Sequence, residues 1–201
     1  MKGFQEQKKN ITNEWYTPPE VFELLKFPEF DLDPASPGKS VVKWIPAKEH
    51  YTESGLLREW HGRVWLNPPY GNETAIWLNK LALHGNGIAL VFARTDTLWF
   101  HTTACKADAI CFLNGRIRFI DKDGKQGDPA TCGSMLLAWG NECADILVGS
   151  GVGWCVDNRP QSKPTKTEAI RAIDEEMEHV THDREGLKEL ARVAKDYIAA
   201  M

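Results

Sequence analysis

Three stretches of this chain, GIALVFA at 87–93, AICFL at 109–113 and SMLLAW at 134–139, are apolar at consecutive positions rather than at alternate ones. A strand with one wet face must alternate, whereas a strand covered on both faces need not. VWL at 64–66 follows the same rule, and IRFI at 117–120 and FDLD at 30–33 are strand-sized as well. Helix-like segments lie between these runs. PPEVFELLKF (18–27) has proline in its first turn and places Val21, Leu24 and Leu25 on one side. NETAIWLNKLALHG (72–85) ends on Gly85, a natural C-cap, and TLWFHTTACKA (97–107) is a third such segment. The pattern predicts an α/β domain with a mostly parallel sheet and helices on both faces.

That domain spans residues 13–157 on this reading. NRPQSKPTK, from 158 to 166, marks a linker with its two prolines. Residues 167–201 are charge-rich and read as a C-terminal helical extension. Ile170, Ile173, Met177 and Val180 form one stripe, and Leu187, Leu190, Val193, Ala194 and Tyr197 another. Such stripes suit packing on the domain or on a second copy of the chain. Residues 1–12 are polar and read as frayed.

Composition excludes several classes. The chain has 201 residues, of which 42% are hydrophobic and 26% charged, the mix of an ordinary globular protein. No apolar run approaches the roughly 20 residues of a membrane span, and MKGFQEQKKN lacks the apolar core of a secretory signal. The five cysteines form no CxxC or CxC pair, which favours reduced thiols in the cytoplasm over a disulfide framework. The six histidines show no metal-ligand spacing, so no metal is assigned. Lys+Arg 24 against Asp+Glu 28 gives a net charge of −4, too acidic to hold duplex DNA by bulk charge. Any contact with nucleic acid needs a local patch and a specific pocket. The eight tryptophans read mostly as core filling and amphipathic anchors.

The chemistry concentrates in Asn67-Pro68-Pro69-Tyr70, directly after VWL, where a parallel strand of an α/β sheet ends. An exocyclic amine becomes nucleophilic when its lone pair leaves conjugation with the ring. Two acceptors on its two N–H groups favour that state: the Asn67 side-chain oxygen and a backbone carbonyl such as that of Pro68. Proline fixes φ and removes N–H donors, and Tyr70 offers a flat face for a base. The same string also serves as a plain proline turn after a strand. Phe30-Asp31-Leu32-Asp33-Pro34-Ala35-Ser36 ends a short strand in a carboxylate followed by small residues, suited to a cationic ligand or to an Asp-Pro turn. Tyr16-Thr17-Pro18-Pro19 precedes the first helix, with Thr17 a candidate N-cap.

In this order and spacing, TPPEVFELL, FDLDPAS, YTESGLLREW, VWLNPPYG, ALVFARTDTLWFH, FLNGRIRF and CGSMLLAW resemble the phage-type DNA N6-adenine methyltransferases over about Asn13 to Trp139. The resemblance implies a Rossmann-like methyltransferase sheet, S-adenosylmethionine as donor and an adenine of DNA, flipped out of the duplex, as acceptor. It makes Asn67, Pro68, Pro69 and Tyr70 the adenine-amine site. Thr17, Pro18, Asp31, Asp33, Pro34 and Ala35 fall on the cofactor side, with Glu53 the acidic candidate for the ribose. The glycine-rich G-x-G loop is absent. Arg94 with Thr95 and Asp96 could orient DNA or the cofactor, or equally close its loop by an Arg–Asp pair. Arg116 and Arg118, with Lys122 and Lys125, offer a basic patch or a solvated hairpin, and loop 121–133 is the place for sequence readout. His101 reads as structural. The resemblance also implies a phage or prophage gene working in the bacterial cytoplasm. Two rivals stand beside it. NPPY also serves enzymes that methylate glutamine amides of proteins or base amines of RNA, and a catalytically silent DNA- or partner-binding module would lack cofactor affinity.

Overall fold

The computed structural model describes residues 14–26 and 28–160, together with 167, 171, 174 and 192. The chain divides into two units, 1–159 and 160–201. In the first, nine strands are β1 (Trp15–Tyr16), β2 (Phe30–Asp33), β3 (Ala47–His50), β4 (Val64–Leu66), β5 (Gly87–Phe92), β6 (Ala109–Leu113), β7 (Ile120–Asp121), β8 (Ser134–Trp139) and β9 (Gly153–Asp157). The helices are α1 (Pro19–Leu25), α2 (Thr74–His84), α3 (Leu98–Thr102) and α4 (Asn141–Gly149). Of the second unit, Thr167, Arg171, Asp174 and Arg192 are helical and exposed. The tail stripes and the frayed N-terminus expected from the sequence lie outside the described residues.

Seven strands form one sheet in the order β3-β2-β4-β5-β8-β6-β9. Pairing is parallel from β3 to β5 and antiparallel across β5–β8, β8–β6 and β6–β9. The sheet is therefore mixed rather than mostly parallel. Consecutive apolar residues report burial on two faces and carry no information about direction, which is why the sequence reading missed the antiparallel half. The residues show the double burial directly. Ile88 and Leu90 of β5 join Phe30, Trp65, Leu136 and Ala138 in one cluster, covered by Val21, Phe22 and Leu25 of α1 and Cys143, Ala144 and Leu147 of α4. Their neighbours Ala89 and Val91 join Leu32, Val64, Leu66 and Leu137 in the other, covered by Trp77, Leu78 and Leu81 of α2. Helices thus pack on both faces.

Four smaller expectations change. IRFI does not extend as a strand: only Ile120 and Asp121 pair, with Tyr16 and Trp15 of β1, in a separate two-stranded ribbon. The edge strands β3 and β9 escape the apolar pattern because AKEH and GWCVD are only partly covered. Pro18, not Thr17, caps α1, and Pro19 fills the first turn. Cys111 and Cys155, in register across β6 and β9, are joined as a disulfide, where free thiols were expected. Opposed positions in an antiparallel pair bring two Cβ atoms close enough for this.

Candidate active site

Connections in an open sheet decide where a crevice forms. From β2 the chain moves to β3 on one side and then returns to β4 on the other. The two crossovers leave in opposite directions, so a crevice opens at the carboxyl ends of β2 and β4. Asp33 is the last residue of β2 and Asn67 the first after β4. A cavity of about 210 Å³ lies here, lined by Asp33, Ala35, Ser36, Asn67, Pro68 and Tyr70 among others, with Trp15 and Tyr16 of β1 on its rim. The strand-end residues read from the sequence therefore meet.

Asn67 is fixed by its own amide. Its Nδ2 donates to the backbone oxygen of Trp15 at 2.8 Å. A carbonyl can only accept, so the nitrogen must face Trp15 and Oδ1 must face the other way. Oδ1 is enclosed and has no partner among the described residues. An enclosed acceptor left unsatisfied is costly, and it is open to a hydrogen bond from a donor that enters the cavity. The Pro69 carbonyl is already engaged by the Thr74 hydroxyl at 3.1 Å.

Tyr70 lines both the 210 Å³ cavity and a second one of about 420 Å³, whose lining is Trp15, Tyr70, Phe92, Phe119 and residues 128–131. Its ring lies 4.2 Å from Phe92 and 5.9 Å from Phe119, centroid to centroid. Its hydroxyl donates to the Leu90 carbonyl at 3.4 Å, and burial holds the phenol far above its ordinary range. Tyr70 therefore stands as a neutral phenol with its ring at the cavity wall. The neighbouring Tyr16 hydroxyl donates to Glu14 at 3.0 Å; burial, then that carboxylate, push it up to about 12.

Asp33 is 3% exposed. One carboxylate oxygen accepts the Ala35 N–H at 3.3 Å, and the other lies 3.6 Å from His50 Nδ1, which is 2.8 Å from the Ser36 hydroxyl. His50 Nε2 meets the Ala47 carbonyl at 3.1 Å, so Nε2 carries a proton and the Nδ1 side faces Ser36 and Asp33. Thr17 is fully buried, and its hydroxyl, like Asn67 Oδ1, has no partner among the described residues. Pro34 is buried, with its carbonyl against Gly55, where a Cβ would fall 2.0 Å from that oxygen.

Other candidates sit elsewhere. Asp31 lies outside the cavity lining and faces the start of β4, accepting the Arg63 N–H at 2.8 Å and the Lys48 ammonium at 2.7 Å. The Arg63 amide first, then Lys48, hold its carboxyl below the ordinary value. Glu53 is exposed beside the lining residue Thr52, and Pro18 lines a different cavity of about 260 Å³ with Arg116 and Arg118. Arg94 is exposed beyond β5; its carbonyl accepts the Thr97 hydroxyl at 2.7 Å, and among the described residues no ion pair joins it to Asp96, the loop closure that was one of the two readings. Arg116 and Arg118 are exposed on a hairpin, donating to the carbonyls of Ala130 (3.1 Å) and Gly127 (3.5 Å). Lys122 pairs with Asp123 at 2.9 Å, and Lys125 is exposed beside it. His101 is exposed, its carbonyl accepting the Cys105 thiol at 3.0 Å. Sequence reasoning missed Trp15, Phe92, Phe119, Ser36 and His50. Phe92 ends an apolar run and Phe119 sits in FLNGRIRF, so neither carried a sign of lining a chamber.

Among the described residues no cluster of His, Cys, Asp or Glu is arranged to hold a metal ion, and no helix is long and apolar enough to cross a membrane. Comparison with curated proteins and with solved structures gave no match. A family model described as DNA N-6-adenine-methyltransferase (Dam) matches residues 5–179, a span that contains both cavities and runs past the proline-bearing segment at 158–166. The chain belongs to this family, and its activity is adenine-specific N6 methylation of DNA.

Proposed function

We propose that S-adenosylmethionine binds in the 210 Å³ cavity and that the target adenine, turned out of the duplex, enters the adjoining chamber of rings. The observation that carries this reading is Asn67, whose Oδ1 is enclosed and unpartnered while its Nδ2 is tied to Trp15. The residues on the cofactor side fit such a ligand. Asp33 is a buried carboxylate at the cavity wall, suited to a cationic amino group. Thr17, which follows the lining residue Tyr16 without lining the cavity itself, has a buried hydroxyl in want of a partner. Ala35 lines the same cavity, whereas Pro34 is buried behind it with its carbonyl against Gly55. When bound, S-adenosylmethionine supplies a methyl group already activated as a sulfonium, so the chain needs no nucleophile of its own.

Asn67 Oδ1 accepts one N6–H of the adenine and the Pro68 carbonyl accepts the other, since Pro69 is committed to Thr74. Both bonds strengthen as the amine leaves conjugation, which is stabilisation of the transition state over the ground state. Tyr70 stacks on the base, and the prolines hold the acceptors in place. Catalysis then rests on positioning and on electrostatic complementarity. We place the catalytic domain at 13–157, in a Rossmann-like arrangement, with 158–166 as a linker to a helical extension. The phage-type resemblance supports a phage or prophage gene and work in the bacterial cytoplasm.

The test is single-turnover methylation with labelled S-adenosylmethionine, followed by digestion of the DNA to nucleosides. Wild-type protein yields N6-methyladenine. Asn67→Ala loses about 10²–10³ in turnover, as removal of a preorganised polar contact does elsewhere, with cofactor affinity little changed. Near-normal turnover by that variant would return NPPY to a structural turn.

A further inference from the structure

We infer that Trp15 is a second stacking platform for the target adenine, in the chamber that Tyr70 also lines; this rests on the assignment of that chamber as the base pocket. Trp15 is among the residues lining both cavities, so it stands where cofactor and base would meet. It is 38% exposed, in contrast to the fully buried Trp65 and the largely buried Trp77 and Trp139. A ring kept at a chamber wall with that much surface open is available to a ligand's face.

Its seat is built from three sides. The Trp15 carbonyl holds Asn67 Nδ2 at 2.8 Å, so the backbone of this residue is fixed to the residue proposed to grip the amine. β1 pairs with β7 in register Trp15↔Asp121, which fastens it to the hairpin. The ring itself lies over Gly127. A Cβ there would come 2.8 Å from Trp15 Cζ3 and 3.3 Å from Cη2, so only glycine lets the indole settle at this depth. The rest of the chamber, Tyr70, Phe92 and Phe119, forms a contiguous aromatic set with Tyr70 and Phe92 in close contact. A flat heteroaromatic ligand is what such walls accept, and each base presents a π-face for stacking.

The adenine methylated by the wild-type protein is first mapped on plasmid DNA and built into a short duplex, once correctly paired and once mispaired. Single-turnover methylation is then measured at saturating cofactor, against DNA concentration, for wild type, Trp15→Ala, Trp15→Phe, Gly127→Ala and Asn67→Ala. Loss of one stacking surface lowers turnover per unit DNA affinity on the paired duplex by about five- to a hundredfold. Trp15→Ala should show that loss, and the mispaired duplex should restore much of it because the base then costs less to extrude. Trp15→Phe should stay within a few-fold of wild type. Gly127→Ala should follow Trp15→Ala, since the added methyl lifts the ring. Full activity of Trp15→Ala on the paired duplex overturns the inference. So does an equal loss on both duplexes that Trp15→Phe fails to rescue, which is the signature of a structural ring. If Asn67→Ala is also fully active, the failure belongs to the underlying site assignment instead.

Discussion

At the scale of single residues, the side-chain amide of Asn67 does two jobs with two atoms, and one substitution separates them. Asn67→Asp keeps an acceptor oxygen at the same reach but sets a second oxygen against the Trp15 carbonyl. A lost charged or buried hydrogen bond costs about 1.5–3 kcal/mol, so turnover should fall about tenfold to a hundredfold at neutral pH. Protonation of the new carboxyl would restore a donor toward Trp15. Activity relative to wild type should therefore rise as pH falls, and a flat ratio across pH 5–8 would show that the Trp15 bond is idle. Asp33→Ala tests the other wall. Removal of the buried carboxylate should weaken cofactor binding about tenfold or more, by the same magnitude of interaction, and leave DNA binding much less affected. Calorimetric titration with S-adenosylmethionine reads this directly, and unchanged affinity would take Asp33 out of the cofactor's reach.

At the scale of elements, the parallel half of the sheet is clamped at its start as well as used at its end. Asp31 of β2 accepts the amide of Arg63, one residue before β4, and the ammonium of Lys48 in β3. A folded carboxyl below its ordinary value contributes stability that is present above the unfolded value near 3.8 and is lost as pH falls through the lowered folded one. Asp31→Asn should therefore lower the melting temperature at pH 7, by the few degrees that about 1 kcal/mol represents for a domain of this size. The gap to wild type should close below about pH 4; a gap that persists in acid would mean the cost is packing, not charge. This clamp was not legible in the sequence, where Asp31 and Asp33 look equivalent. Residues two apart on a regular strand share a side. The N–H groups of Asp31 and Leu32 both donate to the Arg63 carbonyl, however, and this break in the ladder, which the sequence does not announce, separates the two carboxylates. The central strands β4, β5, β6 and β8 were legible because burial on both faces leaves a run with no polar residue. β3 and β9 were not, because an edge strand keeps polar residues that read as loop. NPPY and FDLDPAS could be placed together from sequence since both follow strands. The aromatic chamber could not, because Trp15, Phe92 and Phe119 come from separate segments that only the hairpin and the β1–β7 ribbon bring together.

At the scale of the whole molecule, a net charge of −4 sets the problem of holding a polyanion. Phosphate contacts must come from a few cations without carboxylates of their own. Arg116 and Arg118 are exposed and donate only to neutral backbone carbonyls among the bonds described for them, whereas Lys122 is neutralised by Asp123. Counterion release makes the logarithm of DNA affinity fall with the logarithm of salt at a slope of about −0.9 per phosphate contact. Replacing both Arg116 and Arg118 with Gln should thus make the slope shallower by about two, and Lys122→Gln should change it far less. Cofactor affinity should hold in all of these, because none of the three residues lines the 210 Å³ cavity. The first unit ends on Arg159, which pairs with Asp157 and Asp145 and donates to the Asn141 carbonyl at 3.2 Å, tying the end of β9 to α4. A chain cut after Arg159 keeps that anchor and should still bind S-adenosylmethionine. Its salt slope then locates the remaining phosphate contacts: unchanged by the cut, they reside on the hairpin; strongly reduced, they reside in the segment that carries Arg171 and Arg192, and the two hairpin arginines lose their assigned part in DNA binding.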